Sequence, residues 1–118
     1  MLVRISLTAA LMLDAMLPAY AAGARLDFIA VAERLRQAIH AHRLTSLSND
    51  CYVIPRTEPG EQAGPNLAVF DVREVHDAKC GGGPATDRLR MFGMRINVVT
   101  GAIWSDARSS TGDYLRLR

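Results

Sequence analysis

The pattern of apolar and polar residues divides the chain into one helical segment followed by shorter segments with strand-like alternation. Between Asp27 and Leu44, apolar residues recur every three or four positions, which is the spacing of one face of an α-helix. Asp27 is a suitable N-cap for this helix, and the polar residues 45–50 predict its end. The helical face expected to pack inward consists of Phe28, Val31, Ala32, Leu35, Ala38, Ile39 and His42.

After residue 50 the apolar residues alternate with polar ones, which predicts β-strands with one buried face. The predicted strands cover residues 51–56, 67–76, 88–99, 102–106 and 114–117, with loops at 58–66 and 77–87. Pro55 predicts an edge position for the first strand, because proline has no N–H to donate to a neighbouring strand. Thr100 and Gly101 predict the turn of an antiparallel hairpin. We therefore expect an α+β fold in which one N-terminal helix packs on a four- to five-stranded antiparallel sheet.

The alternation also assigns an inward and an outward face to each strand. The residues expected to face the helix are Ala68, Phe70, Val72, Phe92, Met94, Ile96 and Val98. Trp104, the single tryptophan, follows the apolar Ile103, and we expect Ile103 to lie inside and Trp104 to be partly exposed as a binding residue, with a core position beneath the helix as the alternative. The arginines at 73, 88, 90 and 95 suit an outward stripe that binds carboxylates, with an ordinary solvated face as the alternative.

The first 21 residues have the features of a signal peptide. Arg4 supplies a positive charge, residues 5–13 form a short apolar run, and Ala19-Tyr20-Ala21 offers small residues for cleavage. The apolar run is shorter than the ~20 residues needed to span a bilayer, although an uncleaved anchor is the alternative. We therefore predict one α+β domain of residues 22–118, periplasmic or secreted, with no membrane span after cleavage.

Export determines how the two cysteines, Cys51 and Cys80, are interpreted. In an oxidising compartment they are expected to form a disulfide bond. This bond closes a loop of about thirty residues and contributes roughly 3.5–4 kcal/mol on the chain-entropy model. A structural zinc site requires four ligands in short paired spacings, so we predict no metal site.

Composition excludes several classes of function. The 14 Lys and Arg residues against 12 Asp and Glu give a net charge of +2, too small a bias for a nucleic-acid partner. The 49% of hydrophobic residues excludes disorder. The run Gly81-Gly82-Gly83 lacks the Lys-Ser/Thr and the following helix of a phosphate-binding loop, so no cofactor is predicted.

The most obvious enzymatic hypothesis is a Cys80 nucleophile with His76 as its base. A sulfur in a disulfide is not a thiolate, and a disulfide between Cys51 and Cys80 therefore removes this nucleophile. The sequence also lacks a serine elbow, a zinc-protease motif and a pair of carboxylates suited to acid–base work. We therefore predict no catalytic residues and a protein that is not an enzyme.

The loop 77–87 is the segment best suited to recognition, because Cys80 and Pro84 stiffen it and a preordered loop loses little entropy on binding. A tight turn with only a structural role is the alternative. Together with the tryptophan, the candidate partner-binding residues are Asp77, Lys79, Gly81, Gly82, Gly83, Asp87 and Trp104.

The segments 70–76, 80–84 and 95–97, with Thr100-Gly101, resemble a pattern found in small exported bacterial proteins. The pattern is similar to that of periplasmic immunity proteins that accompany type VI secretion amidase effectors, and it covers about half of the chain. Those proteins bind a peptidoglycan-cutting toxin and block its active site. Where the pattern often has an acidic residue after the second glycine, this chain has Gly83. The layout also resembles PepSY and cystatin-like modules, in which one helix packs on an antiparallel sheet.

The resemblance implies an exported immunity protein that inhibits a secreted cell-wall hydrolase. The alternative is a secreted module that binds a small ligand or a peptide, for example by strand addition at the edge formed by residues 51–56. A purely structural envelope protein and a homodimer are further alternatives that stay open.

Overall fold

The protein is described by a computed structural model, which covers residues 24–58 and 64–118. The predicted signal peptide, residues 1–21, lies outside the described residues, as does the middle of the predicted loop 58–66. None of the helices within the described ranges is long and apolar enough to cross a membrane.

The predicted helix is present as α1, Phe28–Ala41. It begins where predicted, because the Asp27 carboxylate accepts the backbone N–H of Ala30 at 2.8 Å and so caps the first turn. Its buried residues are Val31, Leu35, Ala38 and Ile39. The prediction for Phe28 is wrong: this side chain is 76% exposed, because the first turn of α1 lies at the end of the sheet, beside an open cavity.

Six strands form one antiparallel sheet in the described residues, which confirms the α+β prediction. They are β1 Tyr52–Val53, β2 Arg56–Thr57, β3 Leu67–Glu74, β4 Arg90–Asn97, β5 Ile103–Ser105 and β6 Leu115–Arg116. The strand order is β1, β3, β4, β5, β6, and β2 also pairs with β3.

The strands β1 and β2 are two parts of one interrupted edge strand. Tyr52 pairs with Glu74 and Arg56 pairs with Phe70, so both parts keep the same register on β3. Between them, the Pro55 carbonyl accepts the N–H of Asp71 at 3.0 Å. The edge position predicted from Pro55 is therefore confirmed, although the strand continues past the proline.

The core lies between α1 and the inner faces of β3 and β4. The predicted alternation holds along both strands, and the buried residues on them are Ala68, Phe70, Val72, Phe92, Met94 and Ile96. Tyr52 of β1 adds a large side chain that is only 2% exposed, and Ile103 of β5 packs against the same cluster. Burial of these apolar surfaces is the main stabilisation of a domain of this size.

Candidate functional site

The segment joining β3 to β4 is the longest stretch of exposed residues in the described part of the chain. We call residues 77–89 the glycine loop. Every residue from Gly81 to Arg90 is exposed, including Leu89, an apolar side chain that is 60% exposed. An exposed loop of this kind needs support from its base if it is to keep one shape, and the structure shows four such supports.

The first support is the disulfide bond predicted from the sequence. Cys51 and Cys80 are bonded, with their Cα atoms 5.5 Å apart, and Cys51 is buried beside the core. The Cys51 carbonyl also accepts the N–H of Val75 at 2.9 Å, which ties the start of the loop to the same point. Cys80 therefore carries no free thiol, and the nucleophile of the enzymatic hypothesis is not formed.

The second support is a turn closed by Asp77. One carboxylate oxygen, Oδ1, accepts the backbone N–H groups of Lys79 at 2.9 Å and of Cys80 at 2.7 Å. The Asp77 carbonyl accepts the N–H of Gly81 at 2.8 Å. Aspartate is well suited to such turns because its short side chain reaches backbone groups two and three residues ahead.

The third support is an ion pair on the surface. The Lys79 Nζ lies 2.6 Å from Oδ2 of Asp50, which precedes the buried Cys51. The hydrogen bond from Lys79, with its positive charge, lowers the pKa of Asp50, and the same carboxylate raises the pKa of Lys79. Because both side chains are largely exposed, this pair contributes little to the stability of the fold. Its role is to hold Lys79 of the loop beside Asp50.

The fourth support is His76, whose ring lies beneath the glycines. The ring is only 6% exposed, and its Nε2 lies 2.8 Å from Oε2 of Glu74. A Cβ built on Gly82 would lie 2.7 Å from Cδ2 of His76, and Gly82 has a φ of +94°. Only glycine satisfies both conditions, since a side chain would meet the ring and would also be strained. His76 therefore serves as a platform for the loop.

The predicted partner-binding residues fall into two groups in the loop. The charged groups of Asp77 and Lys79 form hydrogen bonds within the protein, and Gly82 and Gly83 lie against His76. Gly81 and Asp87 face solvent, and a Cβ on Gly81 would contact nothing within 4 Å. The backbone of the exposed segment returns to the sheet through hydrogen bonds from Glu74 and Arg73 to the carbonyls of Leu89 and Arg88.

Trp104 lies on a different surface. It is half-buried on β5, opposite Arg95 of β4, with the Arg116 guanidinium 5.3 Å from its ring centroid. We call this surface, on the side of the sheet away from α1, the outer sheet face; its side chains include Asp71, Arg73, Arg95, Trp104 and Arg116. Trp104 pairs with Arg95, which is five positions from the start of β4. Trp104 therefore lies roughly 16 Å along the strand direction from the end of β4 that meets the glycine loop.

Two of the four arginines predicted for a stripe on this face, Arg73 and Arg90, are paired with carboxylates, whereas Arg88 lies in the exposed glycine loop. Asp71 binds Arg73 and Arg90, each at 3.0 Å, and Arg90 also binds Asp106 at 2.9 Å. The hydrogen bond from Arg90 to Asp106, with the bond to Asp71, raises the pKa of Arg90. Arg95 instead stacks on the ring of Tyr114, at 3.8 Å from its centroid. These arginines therefore hold the outer sheet face together.

Two features of the surface were not predicted. One is the exposed apolar side chain of Leu89. The sequence signal for it was that Leu89 lies between Arg88 and Arg90 and outside the apolar alternation of the strand. The other is Tyr114, whose hydroxyl occupies the place where a side chain on Gly93 would lie. A glycine inside a strand commonly marks such a close approach, so Gly93 was the signal for it.

Comparison with protein-family models, curated proteins and solved structures gave no match to this chain. Within residues 24–58 and 64–118, the structure shows no group of three or more His, Cys, Asp or Glu side chains arranged to hold a metal ion.

Proposed function

We propose that this chain is an exported, non-catalytic binding protein that inserts its glycine loop into the active-site cleft of a secreted peptidoglycan amidase. The observation that carries the proposal is the combination of a ten-residue exposed segment, residues 81–90, with a base fixed by a disulfide and a buried histidine. A loop that is already ordered loses little conformational entropy when it binds, which favours tight inhibition.

The surface chemistry of the loop supports a protein partner. Leu89 offers one apolar anchor, Arg88 and Asp87 offer one charge of each sign, and Pro84 and the glycines allow close backbone approach. Covering the exposed Leu89 side chain with a partner would remove apolar surface from water and so favour association. The choice of an amidase as the partner rests on the resemblance to immunity proteins described above.

The test requires a substitution that changes the exposed surface without disturbing its supports. Gly82 is unsuitable, because any side chain there meets His76. Ala85 is exposed in the loop, and Ala85→Arg adds a long charged side chain at the expected contact. Ala41 is exposed at the end of α1, so Ala41→Arg is the matched control on a different surface.

The purified protein is immobilised and exposed to periplasmic extract, and the captured protein is identified and assayed for peptidoglycan hydrolysis. We expect a captured hydrolase whose activity falls on binding, and we expect Ala85→Arg and Leu89→Glu each to weaken capture by about tenfold or more. Ala41→Arg should capture as well as the parent protein. Capture that is equal for all four proteins, or a captured hydrolase that stays active, would contradict the proposal.

A further inference from the structure

A cavity of about 210 Å³ lies at the end of the sheet opposite the glycine loop. Its floor is apolar and consists of Val31 of α1, Ala68 and Phe70 of β3, and Val98 just beyond β4. Arg25 and Arg56 line it together with Phe28. The cavity therefore combines an apolar floor with polar walls that include two guanidinium groups.

The walls of this cavity are fixed by backbone hydrogen bonds. The N–H of Leu26 donates to the Val98 carbonyl at 2.8 Å, and the N–H of Val98 donates to the Asn66 carbonyl at 2.9 Å. Arg25 is held in place as well, because its Nη1 donates to Oδ1 of Asn66 at 2.9 Å. A cavity whose walls are already fixed requires little reorganisation to accept a ligand.

The two arginines at this cavity differ in their pairing from the arginines of the outer sheet face. Within residues 24–58 and 64–118, neither Arg25 nor Arg56 forms an ion pair, whereas Arg73 and Arg90 on the outer sheet face do. Asp27 is near Arg25 in the sequence, but its carboxylate caps α1, and Asp27 is not among the residues that line the cavity. A carboxylate on a ligand would supply the missing partner for a guanidinium.

Phe28 adds an exposed apolar surface beside this cavity. Its position in the helical repeat places it on the core-facing side of α1, one turn before Val31, yet it is 76% exposed beside this cavity. An apolar ligand in the cavity would contact Phe28 and remove part of its surface from water.

We propose that this cavity binds a small carboxylic acid, with its aliphatic or aromatic group on the apolar floor and its carboxylate at Arg25 and Arg56. The volume is below the roughly 300–1,000 Å³ of sites for drug-sized ligands, so it suits an acid with a single alkyl or aryl group. This site is separate from the glycine loop, and it does not depend on the proposed inhibition of an amidase.

The probe is octanoate, titrated into the purified oxidised protein by calorimetry and followed by NMR at the amides of Ala68 and Val98. Octanol has the same chain without the charge, and we expect it to bind about tenfold more weakly. Arg56→Gln and Arg25→Gln should each weaken octanoate binding several-fold, towards the affinity of octanol. The matched control is Arg88→Gln, which removes an exposed arginine from the glycine loop and should leave octanoate binding unchanged.

Three results would overturn the proposal. The first is no saturable binding of octanoate, and the second is equal binding of octanoate and octanol. The third is an affinity for octanoate that neither Arg25→Gln nor Arg56→Gln changes. Urea unfolding of each variant accompanies the titrations, because a loss of binding counts only for a variant that is folded.

Discussion

The glycine loop and the outer sheet face are both polar surfaces, but they use their charged groups differently. On the outer sheet face, Asp71 and Asp106 bind arginines, and these carboxylates are only 15% and 12% exposed. In the glycine loop, the groups that hold the structure lie at its base, and residues 84–87 extend beyond them into solvent. A high density of charge on a surface can therefore reflect ion pairs within the protein.

The physical reason lies in what a partner would have to displace. A ligand that binds the paired arginines must compete with carboxylates already at hydrogen-bond distance, whereas a partner that contacts residues 84–88 displaces mainly water. Because these supports lie at the base of the glycine loop, we expect substitutions in its exposed part to leave the fold intact. The glycine loop is therefore the better candidate for recognition, and the outer sheet face is chiefly a structural element.

The largest expected effect tests the base of the glycine loop. Replacing both Cys51 and Cys80 with alanine should lower the free energy of unfolding by roughly 3.5–4 kcal/mol, because the cross-link restricts a loop of about thirty residues in the unfolded chain. Urea unfolding of the parent and the double variant measures this difference. A loss below about 1 kcal/mol would contradict the assignment of this stabilisation to the restricted unfolded chain.

The next effect tests the packing of the outer sheet face. Gly93→Ala should cost about 1–3 kcal/mol, because the new Cβ would meet the Tyr114 hydroxyl and lie 2.6 Å from Nη2 of Arg90. In a Tyr114→Ala background the same substitution should cost about 1 kcal/mol less, a coupling that a double-mutant cycle measures by urea unfolding. Equal costs in both backgrounds would show that Tyr114 does not pack on Gly93.

A smaller effect separates the platform of the glycine loop from its exposed part. Gly81 and Gly82 both have positive φ values, +70° and +94°, so alanine is strained at either position. Only Gly82→Ala also meets the ring of His76, and we expect it to lower the free energy of unfolding by about 1 kcal/mol more than Gly81→Ala. Urea unfolding measures both variants. If the two substitutions cost the same, His76 is not a platform.

The smallest effect concerns the ion pair between Asp50 and Lys79. The pKa of Asp50 is lowered from its ordinary value of 3.8, so its contribution to stability is present above that value and is lost as the pH falls further. The pKa of Lys79 is raised from 10.5, so its contribution is present below that value and is lost as the pH rises. The pair is therefore intact across neutral pH.

Because both side chains are exposed, Asp50→Asn should leave the urea midpoint at neutral pH unchanged within error. The variant should instead lower the pKa of Lys79 towards its ordinary value, which an NMR titration of the Lys79 side chain measures. A clear fall in the urea midpoint, or a Lys79 pKa that does not move, would contradict this interpretation of the pair.

The fold could be predicted well from local patterns. The N-cap at Asp27, the alternation along β3 and β4, and the edge position signalled by Pro55 depend on neighbouring residues, whose spacing fixes which side is buried. The disulfide could be predicted because the chain has only two cysteines. The candidate site could be predicted as a segment but not in detail, since the internal contacts of Asp77, Lys79 and Gly82 depend on folding around His76 and Asp50.

By itself, the sequence determined the class of fold and the disulfide partners. Periodicity and turn residues act between neighbours in the chain, and two cysteines leave only one possible pair. These features can therefore be recognised from the sequence alone. Only the tertiary structure decided which charges are paired and where the core ends. The partners of Arg90, residues 71 and 106, lie far from it along the chain, and Phe28 is exposed because the sheet ends before reaching it. Such outcomes depend on the distances between elements, which no local pattern contains.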